Sequence, residues 1–152
     1  MRPQKVIVLG ATGTIGRRTL DVLKQLQGSD PTWDCIGMAC GSRVDQILEQ
    51  SQSHWPAAKL ASMVDDDRPD FCGPDAALHL VEACATPETI VVSAIVGSAG
   101  LRPTLRAIEL GASVALANKE TLVCAGSLVQ EALKTSSGTC LLYTSDAADE
   151  HG

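Results

Sequence analysis

Short apolar runs alternate with stretches of helical periodicity along this chain. The first run, Lys5–Leu9, is continuously apolar after its lysine, which is typical of a strand buried on both faces of a sheet. Ile15–Gln27 follows, with isoleucine, leucine and valine side chains at helical spacing. A strand followed by a helix, repeated along the chain, predicts an α/β fold built on a parallel sheet.

The same alternation continues as far as residue 135. It predicts a doubly wound, mainly parallel sheet with helices on both faces. An acidic turn at residues 65–69 interrupts the pattern and is interpreted as a solvated loop. The further strands are predicted at Asp34–Cys40, Lys59–Val64, Thr89–Val96 and Ser113–Ala117, and the further helices at Val44–Gln52, Pro74–Cys84, Leu101–Leu110 and Lys119–Thr135.

The composition and net charge of the chain limit the kinds of molecule that it is expected to bind. The chain has 152 residues, 45% of them hydrophobic, which is enough for one domain with a buried core. Its net charge of −6 disfavours nucleic acid or an anionic membrane as the main partner. No apolar run approaches the roughly 20 residues that a membrane helix needs.

The six cysteines form no C-x-x-C pair, so free thiols in a reducing cytoplasm are expected rather than a disulfide framework or a zinc site.

A glycine-rich turn, Gly10–Gly16, directly follows the first predicted strand and opens the first helix. Gly10 allows a sharp turn, Gly13 lets the backbone approach a pyrophosphate, and Gly16 lets the helix pack closely. The helix N-terminus then offers N–H groups to phosphates, and the hydroxyls of Thr12 and Thr14 can add to them. This context predicts a Rossmann-like dinucleotide-binding domain, with a purely structural turn as the alternative.

The end of the second strand indicates which dinucleotide is bound. An NAD site commonly has a carboxylate there for the ribose 2′-hydroxyl, whereas this chain has Gly41, Ser42 and Arg43. A hydroxyl and a guanidinium suit a 2′-phosphate, so NADPH is favoured. The alternative is that Arg43 is a solvated residue that opens the next helix.

Three polar residues, Asn118, Lys119 and Glu120, follow the fifth predicted strand. Ligands of open α/β sheets bind at this carboxyl end of the strands. An amide, an ammonium and a carboxylate could there orient a cofactor and hold an anionic substrate. The alternative is an ordinary helix start with Glu120 in its first turn.

Three segments together resemble successive signatures of the 1-deoxy-D-xylulose 5-phosphate reductoisomerase family. They are the glycine turn Gly10–Gly16, the run Ala94–Leu101 and the run Ala117–Val123, and the resemblance extends over residues 4–139. It implies a reductoisomerase that converts 1-deoxy-D-xylulose 5-phosphate to 2-C-methyl-D-erythritol 4-phosphate in the non-mevalonate isoprenoid route. It also implies NADPH and a divalent metal, Mg or Mn, as cofactors.

The resemblance also implies roles for individual residues. Lys119 would contact the sugar-phosphate substrate. Arg43 stands where the family often has asparagine, so at this position the chain departs from the family pattern. The implied cofactor contacts are Thr12, Gly13, Thr14 and Ile15 at the NADPH phosphates, Gly41, Ser42 and Arg43 at the 2′-phosphate end, and Asn118 and Glu120 further along, with Gly10 shaping the turn.

The C-terminal residues depart from the family. There the next strand leads into a leucine-proline-valine-aspartate-serine-glutamate-histidine motif whose acidic residues bind the metal. Residues 140–150 instead resemble the translation of a transposase-type sequencing-library adapter. We therefore expect residues 1–139 to form the NADPH-binding domain, incomplete at its C-terminal end, and residues 140–152 to be a non-native tail. No metal ligand and no catalytic residue is assigned.

Such a fragment is expected to be inactive alone and to expose an unpaired strand at the edge of its sheet. For the full-length family member the resemblance implies a cytoplasmic homodimer. Two alternatives remain open. One is another NADPH-dependent Rossmann oxidoreductase, such as an aspartate-semialdehyde dehydrogenase or a dihydrodipicolinate reductase, and the other is a non-catalytic NADPH-binding module.

Overall fold

The structure, a computed structural model, describes residues 4–117, 119–136 and 138–142, with only the backbone described at 119–125 and 141–142. These residues form an alternating series of strands and helices. In chain order the elements are β1 Gln4–Leu9, α1 Thr14–Ser29, β2 Trp33–Cys40, α2 Val44–His54, β3 Lys59–Ser62, β4 Phe71–Cys72, α3 Ala76–Cys84, β5 Thr89–Ser93, a 3₁₀ turn Gly97–Gly100, α4 Leu101–Glu109, β6 Ser113–Leu116, α5 Lys119–Thr135 and β7 Thr139–Leu142.

The strands form one sheet in the order β4-β3-β2-β1-β5-β6-β7, and every recorded pairing is parallel. The chain builds outward from β1 through β2 to β4, then returns to the other side of β1 with β5. The predicted doubly wound, parallel α/β fold is therefore confirmed. At the reversal between β1 and β5 the two following loops diverge, which opens a crevice at the carboxyl ends of these strands.

Alternate side chains of β1 face two separate cores. Val6 and Val8 pack with residues of α1 and α2 on one face of the sheet. Ile7 and Leu9 pack with residues of α3, α4 and α5 on the other face. Because successive side chains of a strand point to opposite faces, the unbroken apolar run of β1 reflects its burial between two helical layers.

Three predicted strands are shorter than the sequence suggested, and the one predicted as Ser113–Ala117 ends one residue early, at Leu116. The strand predicted as Thr89–Val96 ends at Ser93, because its neighbour β1 stops at Leu9, where Gly10 turns the chain away. Val96 is 82% exposed despite its high β propensity. The strand predicted as Lys59–Val64 ends at Ser62.

Two short strands were not predicted from the sequence. β4 is only two residues long and pairs with the end of β3. β7 pairs with β6, with Cys140 opposite Val114, so it extends past the expected domain boundary at residue 139. Backbone pairing does not depend on side-chain identity, and the adapter origin of residues 140–152 stays a prediction. Residues 143–152 lie outside the described part of the chain.

The five cysteines with described side chains are all free thiols, but they differ in burial. Cys35 and Cys40 are buried in the sheet as expected, whereas Cys72 is exposed. Cys84 and Cys140 are half-buried. Within the described ranges, no helix is both long and apolar enough to cross a membrane.

Candidate functional site

The glycine turn leaves the sheet at the carboxyl end of β1. Gly10 has a φ of +80°, in the left-handed region that favours glycine. Its N–H and that of Ala11 donate to the Ala39 carbonyl oxygen at 3.0 and 2.8 Å, which ties the turn to β2. A Cβ at Gly10 would lie 2.6 Å from the carbonyl oxygen of Ala94, after β5. The position therefore excludes side chains for conformational and steric reasons.

The first turn of α1 packs directly on this glycine turn. A Cβ at Gly16 would overlap the carbonyl oxygen of Gly10 and lie 2.8 Å from the Cα of Ala11. The sequence predicts close packing at Gly16 against the sheet, and the structure places the contact on the turn that leaves it. At Gly13 an added Cβ would have only the Gly10 carbonyl oxygen nearby, at 3.6 Å. The fold does not require glycine at position 13. The absence of a side chain there instead leaves space beside the turn.

The N-terminus of α1 is suited to an anion. The first N–H groups of a helix lack intrahelical acceptors and carry partial positive charge, and here they belong to Thr14, Ile15 and Gly16. Within the described part of the chain, no side chain caps this end and no acidic residue lies in its first turn. Thr14 is exposed beside these groups and Thr12 is half-buried.

A cavity of about 340 Å³ opens beside the turn, at the carboxyl edge of the sheet. Its walls come from the glycine turn, the ends of β2 and β3, the start of α3 and the segment from β5 into α4. Most of the lining is apolar. The lining residues are Gly10, Gly13, Ala39, Cys40, Gly41, Met63, Gly73, Pro74, Asp75, Ala77, Leu78, Ala94, Ile95, Val96, Ala99, Arg102 and Pro103.

Two contacts hold the walls of this cavity together. The hydroxyls of Ser93 and Thr104 lie 2.9 Å apart in a buried hydrogen bond that joins the end of β5 to α4. At the surface, Arg102 Nη1 donates to Asp75 Oδ1 at 3.0 Å. The N-terminal ends of α3 and α4 are thereby fixed on either side of the opening.

A second, smaller cavity of about 230 Å³ lies at the start of α2. Ser42 and Arg43 line it, and Gly41 immediately before them lines the larger cavity. Because the three residues are consecutive and exposed, one extended ligand could contact both cavities. Asp45, Asp66 and Arg68 contribute the remaining charged groups of the smaller cavity.

The two buried thiols of β2 are protonated at neutral pH. Burial, with a further contribution from the Asp66 carboxylate, raises the pKa of Cys40 to about 11. Burial raises the pKa of Cys35 to about 12. Since the thiolate is the nucleophilic form, the arrangement disfavours covalent chemistry at Cys40, although that residue lines the larger cavity.

The structure brings most of the predicted site residues to one edge of the sheet. Gly10, Thr12, Gly13, Thr14 and Ile15 share one turn, and Gly41, Ser42 and Arg43 follow the neighbouring strand. The backbone also brings the start of α5 to this edge, since the Ala117 N–H donates to the Ser93 carbonyl oxygen at 3.0 Å. Asn118 lies outside the described residues, and the side chains of Lys119 and Glu120 are likewise outside them.

The sequence reasoning missed the far wall of the larger cavity. Met63, Asp75, Leu78 and Arg102 line it but were not predicted as site residues. All four follow strands of a parallel sheet, so the rule that ligands bind at the carboxyl edge could have found them. No local motif singles them out, because the fold alone brings them together.

The described residues contain no group of three or more His, Cys, Asp or Glu side chains that could hold a metal ion. The donor set that a hard divalent cation requires, several carboxylate oxygens around one point, is therefore not found in the described ranges 4–117, 119–136 and 138–142. The residues that are described fit a dinucleotide better than a metal. An uncapped helix start suited to an anion and a cavity that a Cβ at Gly13 would narrow both support that fit.

Comparisons with protein families and with known proteins identify one family. The family described as 1-deoxy-D-xylulose 5-phosphate reductoisomerase matches residues 6–126. The reductoisomerase of Geobacillus sp. (strain WCH70) is 42% identical over 138 residues, which are 85% of this chain and 35% of that protein. The solved Zymomonas mobilis enzyme in complex with NADPH has a TM-score of 0.79 and 29% identity, covering 93% of this chain and 38% of that one.

A second solved structure, a DOX-P reductoisomerase in complex with NADPH, fosmidomycin and magnesium, has a TM-score of 0.75 and 32% identity. The match covers 91% of this chain and 36% of that one. This chain therefore spans between 35% and 38% of the length of these relatives.

Proposed function

This chain belongs to the 1-deoxy-D-xylulose 5-phosphate reductoisomerase family, and we propose that it is the NADPH-binding part of such an enzyme. The proposed reaction is the NADPH-dependent conversion of 1-deoxy-D-xylulose 5-phosphate to 2-C-methyl-D-erythritol 4-phosphate. The observation that carries the proposal is the uncapped N-terminus of α1, which opens on a cavity where the strand order reverses.

The cofactor phosphates are proposed to bind at the glycine turn. Thr12, Gly13, Thr14 and Ile15 line that site: Thr14 and Ile15 offer backbone N–H groups, Thr12 and Thr14 offer hydroxyls, and the helix end supplies partial positive charge. The Gly13 N–H donates to the Gly10 carbonyl oxygen at 3.2 Å, so Gly13 contributes space rather than a donor. The described first turn of α1 has no carboxylate to compete with a phosphate. Gly10 contributes by shaping the turn, as its φ and its proximity to Ala94 require.

The adenosine half is proposed to extend from this turn towards α2. The apolar cavity lies between the glycine turn and Gly41 and suits the adenine ring. Ser42 and Arg43 line the next cavity along, where a hydroxyl and a guanidinium suit the 2′-phosphate. This arrangement supports NADPH over NADH as the cofactor.

The other half of the site is proposed from the family resemblance. Asn118 and Glu120 would contact the cofactor beyond its phosphates, and Lys119 would contact the sugar phosphate. A divalent metal, Mg or Mn, would be held by residues of the longer family protein, which we propose to be a cytoplasmic homodimer. Residues 1–139 are proposed as the native domain and residues 140–152 as an adapter-derived tail.

Cofactor binding is tested most sharply by filling the space at Gly13. Gly13→Ala places a Cβ in ordinary contact with the fold but in the path of the proposed phosphates. We expect unchanged thermal stability and NADPH binding weakened by roughly tenfold or more, from steric overlap of the kind that costs 1–3 kcal/mol. The measurement is a calorimetric or fluorescence titration.

Gly28→Ala, at the far end of α1 with nothing within 4 Å of its added Cβ, is the matched control and should bind NADPH normally. The proposal is wrong if Gly13→Ala binds NADPH as tightly as Gly28→Ala does.

A further inference from the structure

The loop between β3 and β4 closes against the turn that follows β2. The Met63 N–H donates to the carbonyl oxygens of Cys40 and Gly41, both at 3.0 Å. The Val64 N–H donates to the Gly41 carbonyl oxygen at 3.3 Å. These bonds hold the acidic segment 65–67 close to the turn where the 2′-phosphate is proposed to bind.

Two carboxylates consequently share the smaller cavity with Ser42 and Arg43. Asp45 comes from the first turn of α2, and Asp66 comes from the β3–β4 loop. A carboxylate beside the adenosine ribose is the feature by which many dinucleotide sites select the 2′-hydroxyl of NAD. Left alone, the two aspartates would outweigh the single positive charge of Arg43 and repel a 2′-phosphate.

Arg68 pairs with both of these carboxylates. Its Nε and Nη2 donate to Asp66 Oδ1 and Oδ2 at 3.0 and 2.8 Å, a two-pronged contact. Its Nη1 donates to Asp45 Oδ1 at 2.9 Å. Hydrogen bonds from the Arg68 side chain and N–H lower the pKa of Asp66 to about 2, so the pair stays ionised at neutral pH.

The two arginines of the smaller cavity therefore differ in their ion pairs. Within the residues that the structure describes, Arg68 pairs with two aspartates, whereas Arg43 forms no ion pair. The charges of the cavity, two positive and two negative, cancel only because Arg68 is present. Arg43 is then available to a ligand.

We propose that Arg68 is a specificity-determining residue for NADPH over NADH, acting by offsetting one of the two negative charges of Asp45 and Asp66 rather than by touching the cofactor. The inference rests on the proposed function, since it needs the 2′-phosphate beside Ser42 and Arg43. Arg68 thus reduces the charge of a carboxylate pair that would favour NADH from −2 to −1, which Arg43 balances, so that the cavity as a whole is neutral and admits the extra phosphate.

The test is the ratio of the dissociation constants for NADPH and NADH, measured by titration of the 152-residue chain and its variants. Arg68→Gln is expected to weaken NADPH binding by about tenfold, through one unit of uncompensated charge near the surface, and to leave NADH binding within about twofold. The loss should shrink at high salt. Asp66→Asn is expected to tighten NADPH binding by about threefold on the same grounds.

The double variant Arg68→Gln with Asp66→Asn restores the neutral cavity and is expected to return the ratio to near its original value. A double variant as weak as Arg68→Gln alone would overturn the proposal, because Arg68 would then act on the phosphate directly. Arg106→Gln is the matched control. It also removes an arginine paired with a carboxylate, that of Glu82, but it lines neither cavity and should leave the ratio unchanged.

Failure of the inference and failure of the proposed function give different results. If the unaltered chain binds neither nucleotide, the proposed function is wrong and the inference falls with it. If the chain prefers NADPH and Arg68→Gln keeps that preference, only the inference is wrong. Because both constants are measured on one preparation, partial unfolding of a variant changes them alike and leaves the ratio informative.

Discussion

Gly16 and Gly28 lie in the same helix but in different surroundings. An added Cβ at Gly16 would overlap the Gly10 carbonyl oxygen, whereas at Gly28 it would meet nothing within 4 Å. We expect Gly16→Ala to lower the free energy of unfolding by roughly 1–3 kcal/mol through overpacking. Gly28→Ala should raise it by about 0.5–1 kcal/mol through helix propensity. Urea denaturation of both variants checks this, and equal effects would contradict it.

The buried thiols make stability depend on alkaline pH. An ordinary thiol ionises near pH 9.0, whereas burial raises the pKa of Cys40 to about 11 and that of Cys35 to about 12. Above pH 9 the unfolded chain therefore loses protons that the folded chain keeps. Unfolding is then favoured increasingly until the folded pKa values are reached. The stability that these thiols contribute is complete below pH 9 and is lost as pH rises towards 11 or 12.

Melting temperatures measured between pH 8 and 11 test this dependence. The informative comparison is with Cys35→Ala, which removes one of the two buried thiols. The unaltered chain should lose stability more steeply above pH 9 than this variant does. If the melting temperatures of the two proteins fell in parallel with pH, burial of Cys35 would not be the cause of the pH dependence of stability.

At the scale of elements, β5 and α4 are joined by one buried hydrogen bond. Ser93→Ala leaves the Thr104 hydroxyl without this partner in a buried site, and an unsatisfied buried group costs about 1–3 kcal/mol. Removing both hydroxyls, with Ser93→Ala and Thr104→Val, should cost less than the sum of the two single changes. Chemical denaturation measures all three variants. Additive effects would mean that the bond contributes no coupling.

Some elements could be predicted from strong local patterns in the sequence. For others, the existence or the end of a strand depends on the neighbouring strand with which it pairs. The unbroken run of β1 and the helical period of α1 and α5 specify those elements wherever they pack. β4 carries no such pattern, and only its pairing with the end of β3 makes it a strand. Thr89–Val96 has β propensity throughout but ends at Ser93, where β1 no longer accompanies it.

At the scale of the whole molecule, the candidate site divides into a local part and a part assembled by the fold. The turn proposed to bind the phosphates is a continuous segment with its own glycine pattern, so it could be proposed from the sequence alone. Asp75 and Arg102, which pair with each other at the larger cavity, are 27 residues apart in sequence. Arg68 reaches Asp45 across 23 residues. Such contacts need the sheet order, which no local motif encodes.

The chain's length relative to its family members leads to a prediction about activity. Because it spans only 35% to 38% of the relatives compared, we expect no turnover of 1-deoxy-D-xylulose 5-phosphate by these 152 residues. A gene re-amplified from source DNA should continue after Thr139 into an Asp-Ser-Glu-His motif, and its product should oxidise NADPH with that substrate and Mg or Mn. A source sequence that encodes residues 140–152 and then stops would contradict the adapter origin.

The central claim is that NADPH binds across the glycine turn and the end of β2. The most direct measurement is an NADPH titration of the isotope-labelled chain, followed by the backbone amide signals in NMR spectra. The account predicts that the largest shifts occur at Thr12–Ile15 and at Gly41–Arg43, because these two turns would lie against the bound cofactor. No change in the spectrum, or changes confined to residues away from these two turns, would contradict it.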